Sequence, residues 1–154
     1  MADPRLTVVK MLMKMDSSEA YSNLLLDHVF NEAELSDRDK AFAAALFYGV
    51  LERRLTLDHI IRTNSKIPFE KLDKSAVQIL RTGLYQLLYM PSVPESAAVN
   101  ESVKMCKKLK CFSAQGFVNG MLRSFIRGGK KISYLGMAPE KRLSVEYSCP
   151  EWLT

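Results

Sequence analysis

The fold is decided by residues 93–127, which read VPESAAVNESVKMCKKLKCFSAQGFVNGMLRSFIR. Apolar residues recur at helical spacing on both sides of the central Leu-Lys-Cys-Phe-Ser, and this periodicity predicts two helices joined by a short turn. Pro94 suits the first turn of the first helix, where a backbone N–H is not needed. Ser113 is the expected N-cap of the second helix, and Gly128 is placed to end it.

Positive charge is concentrated in this pair of helices. Residues 101–131 contain eight basic residues and one acidic residue, a net charge of +7. Residues 1–100 contain 12 basic and 13 acidic residues, and residues 132–154 contain two and three, so each of these parts carries −1. A concentrated positive field attracts polyanions, and phosphate contacts dominate affinity for nucleic acids. The alternative is a solvated lysine face that serves solubility, and charge alone does not distinguish the two.

Composition and cysteine content bound the remaining possibilities. The chain has 154 residues, 47% of them hydrophobic and 25% charged, which suits one globular domain. No apolar run is long enough to cross a bilayer, and no secretory signal is visible at the N-terminus. Three cysteines without Cys-x-x-Cys spacing and two distant histidines argue against a zinc site. We therefore expect no metal, no membrane association, a cytoplasmic location, and Cys106 as a core residue.

The sequence is helical in character throughout. No segment alternates apolar and polar residues over more than a few positions, so we predict an all-α bundle of about six or seven helices. The helix from Asp37 begins at a capping box that starts with Ser36. Its small residues, Ala43 to Ala45 and Gly49, allow close backbone approach, and we predict that it is the central helix.

After Arg127 the pattern changes. Residues 133–147 lack a sustained period and contain Gly136 and Pro139, which predicts a linker with one helical turn at residues 139–143. The segment Cys149-Pro150-Glu151-Trp152 is typical of the first turn of a further helix. We expect one domain over residues 1–129, followed over residues 130–154 by a linker and the start of a domain that is missing here. The alternative is that Trp152 folds back onto the first domain.

The chain lacks the patterns of common catalytic sites. It contains no Gly-x-Gly-x-x-Gly, no Gly-Lys-Ser/Thr phosphate loop, no His-Glu-x-x-His and no nucleophile with a recognisable base. The carboxylate pairs Asp37 with Asp39 and Glu32 with Glu34 lie at a helix start and in a loop, where acidic residues suit the helix dipole. We therefore predict a binding domain with no catalytic residues and no cofactor of its own.

Three motifs, in order, resemble the signatures of the NusB-like RNA-binding fold over about residues 4–128. They are Ser36-Asp37-Arg38-Asp39 with Tyr48-Gly49-Val50, then Arg81-x-Gly83-x-Tyr85-Gln86-Leu87-Leu88-Tyr89 with Val93-Pro94-x-x-Ala97-Ala98-Val99-Asn100-Glu101, and finally Gly116-Phe117-Val118-Asn119-Gly120-x-Leu122-Arg123. The tail from Tyr147 to Leu153 is similar to a junction in one multidomain branch, the small-subunit ribosomal RNA cytosine-5 methyltransferases of the Sun/Fmu (RsmB) type. That branch commonly has histidine where this chain has Cys149.

The resemblance implies that an amino-terminal helical domain engages ribosomal RNA. It also implies a separate carboxy-terminal domain that binds S-adenosylmethionine and supplies the cysteine nucleophile, so none of the cysteines here has that role. The implied partners are small-subunit ribosomal RNA and the protein's own C-terminal methyltransferase domain. Two alternatives stay open, a free-standing transcription antitermination factor of the NusB type and a protein–protein docking module.

Helical geometry places the candidate RNA-binding residues on one side of each basic helix. They are Asn100, Lys104, Lys107 and Lys108 on the first helix, and Asn119, Arg123 and Arg127 on the second. The lysines and arginines are expected to contact phosphates, whereas the asparagines either read bases and sugar hydroxyls or cross-link the helices. Gly116 and Gly120, on the same side of the second helix, are expected to permit tight helix packing.

Overall fold

The computed structural model describes residues 3–18, 23–134, 137 and 139–148, which form eight α-helices and no strand. The helices are α1 (Pro4–Ser18), α2 (Asn23–Glu32), α3 (Asp37–Glu52), α4 (Arg54–Asn64), α5 (Lys74–Tyr89), α6 (Glu95–Lys108), α7 (Gln115–Arg127) and α8 (Pro139–Tyr147). Short 3₁₀ turns at Phe69–Lys71 and Phe112–Ala114 precede α5 and α7. The predicted all-α bundle is confirmed, and none of the described helices is long and apolar enough to span a membrane.

Helix α5 lies at the centre of the bundle. Eleven of its 16 residues are buried, and it packs against α1, α3, α4, α6 and α7. The prediction that α3 is central was wrong, because α3 buries only five of its residues and Ala45 is exposed. The close approach predicted at Gly49 is present, since a Cβ there would lie 2.1 Å from the ring of Tyr85 on α5.

A glycine on α5 sets the distance to the α6–α7 hairpin. A Cβ at Gly83 would lie 2.8 Å from Oγ of Ser102 on α6 and 3.1 Å from Leu122 on α7. Ser102 is itself fully buried, with its hydroxyl donating to the carbonyl of Ala98 at 2.7 Å. A larger residue at position 83 would therefore push the hairpin away from the core. The glycine allows α6 and α7 to pack closely against α5 at this point.

Both hairpin helices end in the same kind of backbone turn. At the end of α6 the N–H groups of Lys110 and Cys111 donate to the carbonyls of Lys107 and Cys106, and Lys110 takes the left-handed conformation. At the end of α7 the corresponding left-handed residue is Gly129, and Lys130 after it is also left-handed. The helix ends at Arg127 with Gly128 as its C-cap, so the predicted stop at Gly128 is confirmed. Ser113 does not cap α7, because it lies within the 3₁₀ turn and the helix begins at Gln115.

A buried ion pair joins α5 to α4. Arg81 donates from Nε and Nη2 to the two carboxylate oxygens of Asp58, at 2.7 and 2.9 Å. The exposed fractions are only 7% for Arg81 and 8% for Asp58. Each charge is therefore neutralised by the other in a region that water barely reaches.

Helix α8 is longer than the single turn predicted for residues 139–143. It packs against α4, with Ser144 and Val145 buried. Thr56 donates from its hydroxyl to the carbonyl of Val145 and from its backbone N–H to Oγ of Ser148 at 3.2 Å. Ser148 thus satisfies an N–H in the first turn of α4, a turn whose own N-cap makes no side-chain bond. The helix start predicted at residues 149–152 lies outside the described residues.

Candidate nucleic-acid interface

The predicted RNA-binding residues of α6 share an exposed side. Asn100, Lys104, Lys107 and Lys108 are exposed, whereas Val99 and Cys106 on the opposite side are fully buried. This division follows from the helical spacing of apolar and charged residues. The structure therefore gives α6 one side packed on α5 and another side open to a large ligand.

The second helix brings an arginine to the same surface. On α7 Arg123 and Arg127 are exposed and Asn119 is half-buried, while Val118, Met121, Leu122 and Phe125 pack inward. We call the surface that these two helices share the basic face. It consists of Asn100, Lys104, Lys107, Lys108, Asn119, Arg123 and Arg127.

Arg123 connects the two helices. Its Nε donates to Oδ1 of Asn119 at 2.8 Å, one turn earlier on α7, and its Nη2 donates to Oδ1 of Asn100 on α6 at 3.4 Å. The oxygen of Asn100 thus takes part in a bond between the two helices, whereas the oxygen of Asn119 accepts a bond within α7. The guanidinium is held in place by neutral groups and keeps its full charge.

Two lysines of the hairpin are partly neutralised. Lys108 donates to Oδ2 of Asp3 at 2.7 Å, and Lys130 lies 3.0 Å from a carboxylate oxygen of Glu95. Within the described ranges, no carboxylate lies within salt-bridge distance of Lys104, Lys107 or Arg127. The uncompensated charge of the basic face therefore lies on the last two turns of α6 and the second half of α7.

The Asp3–Lys108 pair also fixes the start of α1. Asp3 accepts from the backbone N–H groups of Arg5 and Leu6 as the N-cap of that helix. Burial alone would raise the pKa of the Asp3 carboxyl, but the hydrogen bonds from Lys108 and from these N–H groups, with the charge of Lys108, outweigh burial and lower it. The hydrogen bond with Asp3 raises the pKa of Lys108.

Gly116 and Gly120 on α7 are not packed against another helix, in contrast to the prediction. A Cβ built at Gly116 or at Gly120 would meet no described atom within 4 Å, so neither glycine is needed for helix packing. The prediction of tight packing at these positions was wrong. They instead leave bare backbone beside Asn119 and Arg123, on a groove of about 370 Å³ that Lys66 and Ile67 also line.

Sequence reasoning did not single out Phe112, which lies in the turn between the two basic helices. Its exposed fraction is 61%, one of the two highest among the large hydrophobic residues described. The signal available in the sequence is an aromatic residue two positions after the Lys-Lys-Leu-Lys run of residues 107–110.

The described cysteines have no properties of a nucleophile. Cys106 and Cys111 are buried and reduced, as expected for Cys106. Burial raises the pKa of the Cys106 thiol to about 12, and the adjacent Cys111 contributes. A thiol of this kind stays protonated at neutral pH and reacts slowly. Among the described residues no three His, Cys, Asp or Glu side chains are grouped so that they could hold a metal ion, and Cys149 lies outside those residues.

Comparison with known proteins gives one family and two kinds of relative. A sequence model of the NusB family matches residues 2–127. The probable ribosomal RNA small subunit methyltransferase B of Bacillus subtilis (strain 168) is 37% identical over 142 residues, which is 92% of this chain and 32% of that protein. The protein of the same description from Synechocystis sp. is 33% identical over 142 residues, again 92% of this chain and 32% of that protein. The transcription antitermination protein NusB of Ruminiclostridium cellulolyticum is 31% identical over 127 residues, 80% of this chain and 86% of that protein.

The two kinds of relative differ in how much of them this chain covers. The chain spans about a third of the length of the methyltransferases it matches and most of the length of the antitermination protein.

Proposed function

The chain belongs to the NusB family, and on that premise we propose that it is the RNA-binding part of a small-subunit ribosomal RNA cytosine-5 methyltransferase. Its basic face holds the ribosomal RNA while a separate domain of the whole protein binds S-adenosylmethionine and transfers the methyl group. Because ribosomal RNA is the ligand, the protein acts in the cytoplasm. The residues that contact RNA are those of the basic face, with Lys104, Lys107, Arg123 and Arg127 binding phosphates.

The observation that carries this proposal is the reach of the similarity. The match to the two methyltransferases extends over 142 residues of this chain, whereas the match to the antitermination protein extends over 127. The family itself is matched only to residue 127. Helix α8 lies beyond that point and is packed on α4 by the Thr56 and Ser148 hydrogen bonds. The longer match therefore favours the methyltransferase branch.

The geometry of the basic face supports RNA as its ligand. Affinity for RNA comes mainly from phosphate neutralisation, which requires cations without carboxylate partners. Lys104, Lys107 and Arg127 meet that requirement among the described residues, and Arg123 is oriented by two amide oxygens that leave its charge intact. A face that only served solubility would not require an arginine fixed between two helices.

The surface of α8 supports a contact with a following methyltransferase domain. Leu143 and Tyr147 are four residues apart, so they lie on the same side of α8, and their exposed fractions are 43% and 61%. The opposite side, with Ser144 and Val145, is buried against α4. Exposed apolar side chains on a short surface helix suit a partner that covers them.

One observation favours a second function, that of a transcription antitermination factor. The chain covers 86% of an antitermination protein at 31% identity, whereas it covers about a third of each methyltransferase. In that case the RNA bound by the basic face would be a leader transcript. The sequence that follows residue 154 in the complete gene decides between the two, because only the first proposal requires a methyltransferase domain there.

The RNA-binding role is tested by removing charge from the basic face. We expect the triple variant Lys104→Gln, Lys107→Gln and Arg123→Gln to bind transcribed small-subunit ribosomal RNA much more weakly. If each side chain neutralises one phosphate, the slope of log affinity against log salt falls by about 2 for single-stranded segments. Filter binding or fluorescence anisotropy over a salt series measures both quantities.

A matched triple variant controls for loss of net charge. Arg38, Arg54 and Lys71 are exposed cations on α3, α4 and the turn before α5, and their change to glutamine removes the same charge. We expect this control to bind nearly as tightly as the wild type. Equal losses in the two variants would reduce the interaction to general attraction by net charge and would contradict a specific RNA face.

A further inference from the structure

Resting on the proposed function, we infer that Phe112 is a stacking platform for an unpaired base, so that the basic face selects single-stranded RNA over duplex. The inference deepens that function by naming the form of RNA and one residue that selects it. It is carried by the position of the ring, by the exposure of the ring and by the cations on either side of it.

The backbone at the end of α6 turns Phe112 outward. The N–H of Cys111 donates to the carbonyl of Cys106 at 2.8 Å, and this bond directs Cys111 into the core, where it is 8% exposed. The next residue is left on the outside of the turn, and 61% of Phe112 is exposed. Burying an aromatic ring stabilises a fold, and this fold leaves most of the ring in contact with solvent.

Cations flank the ring on both sides. Lys107, Lys108 and Lys110 precede it on the last turn of α6 and in the connection, and all three are exposed. Phosphates held by these lysines would bring the attached bases close to the ring. Single-stranded RNA is bound in this way elsewhere, with basic side chains along the backbone and aromatic rings against unstacked bases.

Phe112 also lies just before the arginines of α7. The 3₁₀ turn that contains it leads directly into the helix, where spacings of three and four residues place Gly116, Gly120, Arg123 and Arg127 on one side. The path from Phe112 to Arg123 along the 3₁₀ turn and the helix is about 18 Å. No described side chain stands within 4 Å of the Cβ positions of the two glycines. A strand stacked on Phe112 therefore has an open path to the arginines.

A duplex cannot use the ring in the same way. Its bases are stacked on one another and present only their edges in the grooves, whereas a single strand can present the face of a base. Base–aromatic stacking contributes about 1–3 kcal/mol per base, which corresponds to about 5- to 150-fold in affinity. The ring therefore adds discrimination between forms of RNA that the lysines alone do not provide.

The test compares Phe112→Ala with Phe112→Trp, Phe112→Leu and Tyr147→Ala. Tyr147 is the matched control because its exposed fraction is also 61% and it lies on α8, away from the hairpin. With a short unstructured RNA we expect at least about fivefold weaker binding for Phe112→Ala, no loss for Phe112→Trp or Tyr147→Ala, and little rescue by Phe112→Leu. Affinity for the same RNA annealed to its complement should not change in any variant.

A spectroscopic measurement adds an independent readout. A 2-aminopurine base in the single strand should be quenched on binding to the wild type, and the quenching should be lost with Phe112→Ala. Equal single-strand affinity for the wild type and Phe112→Ala, full rescue by leucine, or equal losses for single strand and duplex would each overturn the inference. Failure of the wild type to bind any RNA at low salt would instead overturn the proposed function.

Discussion

Two arginines on neighbouring helices are held in opposite ways. Arg81 on α5 is buried, and its Nε and Nη2 donate to the carboxylate of Asp58. Arg123 on α7 is exposed, and its bonds go to the amide oxygens of Asn100 and Asn119. A carboxylate partner cancels the charge of a guanidinium, whereas an amide partner orients the guanidinium and leaves its charge available. The first arrangement serves the fold, and the second suits a surface that binds an anion.

The largest expected effect in this contrast is on stability. Asp58→Ala leaves the guanidinium of Arg81 buried without its counter-charge, and we expect the free energy of unfolding to fall by about 3–5 kcal/mol. Replacing both members with apolar residues, as Asp58→Leu with Arg81→Met, should recover most of that loss. Urea denaturation followed by circular dichroism measures these differences.

The matching change at the other arginine separates the two roles. Arg123→Ala removes an exposed side chain, and we expect the free energy of unfolding to change by no more than about 0.5 kcal/mol. If Arg123→Ala destabilised the chain as much as Asp58→Ala, the hairpin arginine would be part of the fold and the contrast would be broken.

A smaller effect is expected when the two asparagines are changed together. Asn100→Ala with Asn119→Ala removes two hydrogen bonds that orient Arg123 while its charge stays, so we expect about 5- to 10-fold weaker RNA binding, in line with the net contribution of hydrogen bonds. The slope against salt should be unchanged, because no phosphate contact is removed. Anisotropy measurements at several salt concentrations test both statements.

Ser124→Ala is the control for the asparagine pair, because Ser124 is an exposed polar residue next to Arg123 on α7. We expect it to bind RNA like the wild type. A steep fall in the salt slope for the asparagine variant would mean that Arg123 loses its phosphate contact when the amides are removed, and would contradict a role limited to orienting it.

The smallest expected effect concerns the one lysine of the basic face that has a carboxylate partner among the described residues. Asp3→Asn keeps a side-chain oxygen for the N-cap of α1 but removes the charge opposite Lys108, so we expect a loss of no more than about 1 kcal/mol at pH 7. Because the folded state lowers the pKa of Asp3, the stability from this pair is present above the unfolded pKa of about 3.9 and is lost as the pH falls through the folded pKa.

At alkaline pH the stability from this pair depends on Lys108, whose pKa shifts in the direction opposite to that of Asp3. The folded state raises its pKa, so its contribution is complete below the unfolded pKa of about 10.4 and is lost as the pH rises through the folded pKa. The difference between the wild type and Asp3→Asn in urea melts should therefore vanish at low pH. At high pH it should shrink to the part that comes from the N–H groups of Arg5 and Leu6, which still bind the charged carboxylate. A difference that persisted at low pH would mean that asparagine is simply a poorer cap.

Local patterns predicted much of the fold. The N-cap of the predicted capping box is present, with Oγ of Ser36 accepting from the N–H of Asp39 at 3.2 Å, and the hairpin with its exposed cations is where the charge pattern placed it. The central helix could not be chosen correctly, because small residues show only how closely a neighbour can approach. Burial on all sides, which distinguishes α5, depends on how many other helices surround it.

In the candidate site, too, contacts within one helix could be predicted from the sequence, whereas contacts between helices could not. The bond between Asn119 and Arg123 follows from a spacing of four residues on one helix, whereas the bond to Asn100 requires the packing of α6 on α7. The spacing of Gly116 and Gly120 is the same whether a helix packs on them or not, so only the structure shows the open side. The length of α8 was underestimated because Gly136 and Pro139 disrupt the helical period of the sequence there. Its packing depends on Thr56, which is far away in sequence.

The two turns that end the hairpin helices have the same hydrogen-bond pattern but differ in their left-handed residues. These are Gly129 and Lys130 after α7, and Lys110 alone after α6. A side chain with a Cβ is strained in that conformation by roughly 1 kcal/mol relative to glycine. An engineer seeking a higher melting temperature would choose Lys110→Gly first, and would thereby erase one of the positive charges beside Phe112. If the basic face binds RNA as proposed, thermal stability and RNA affinity therefore favour different residues at position 110 of this chain.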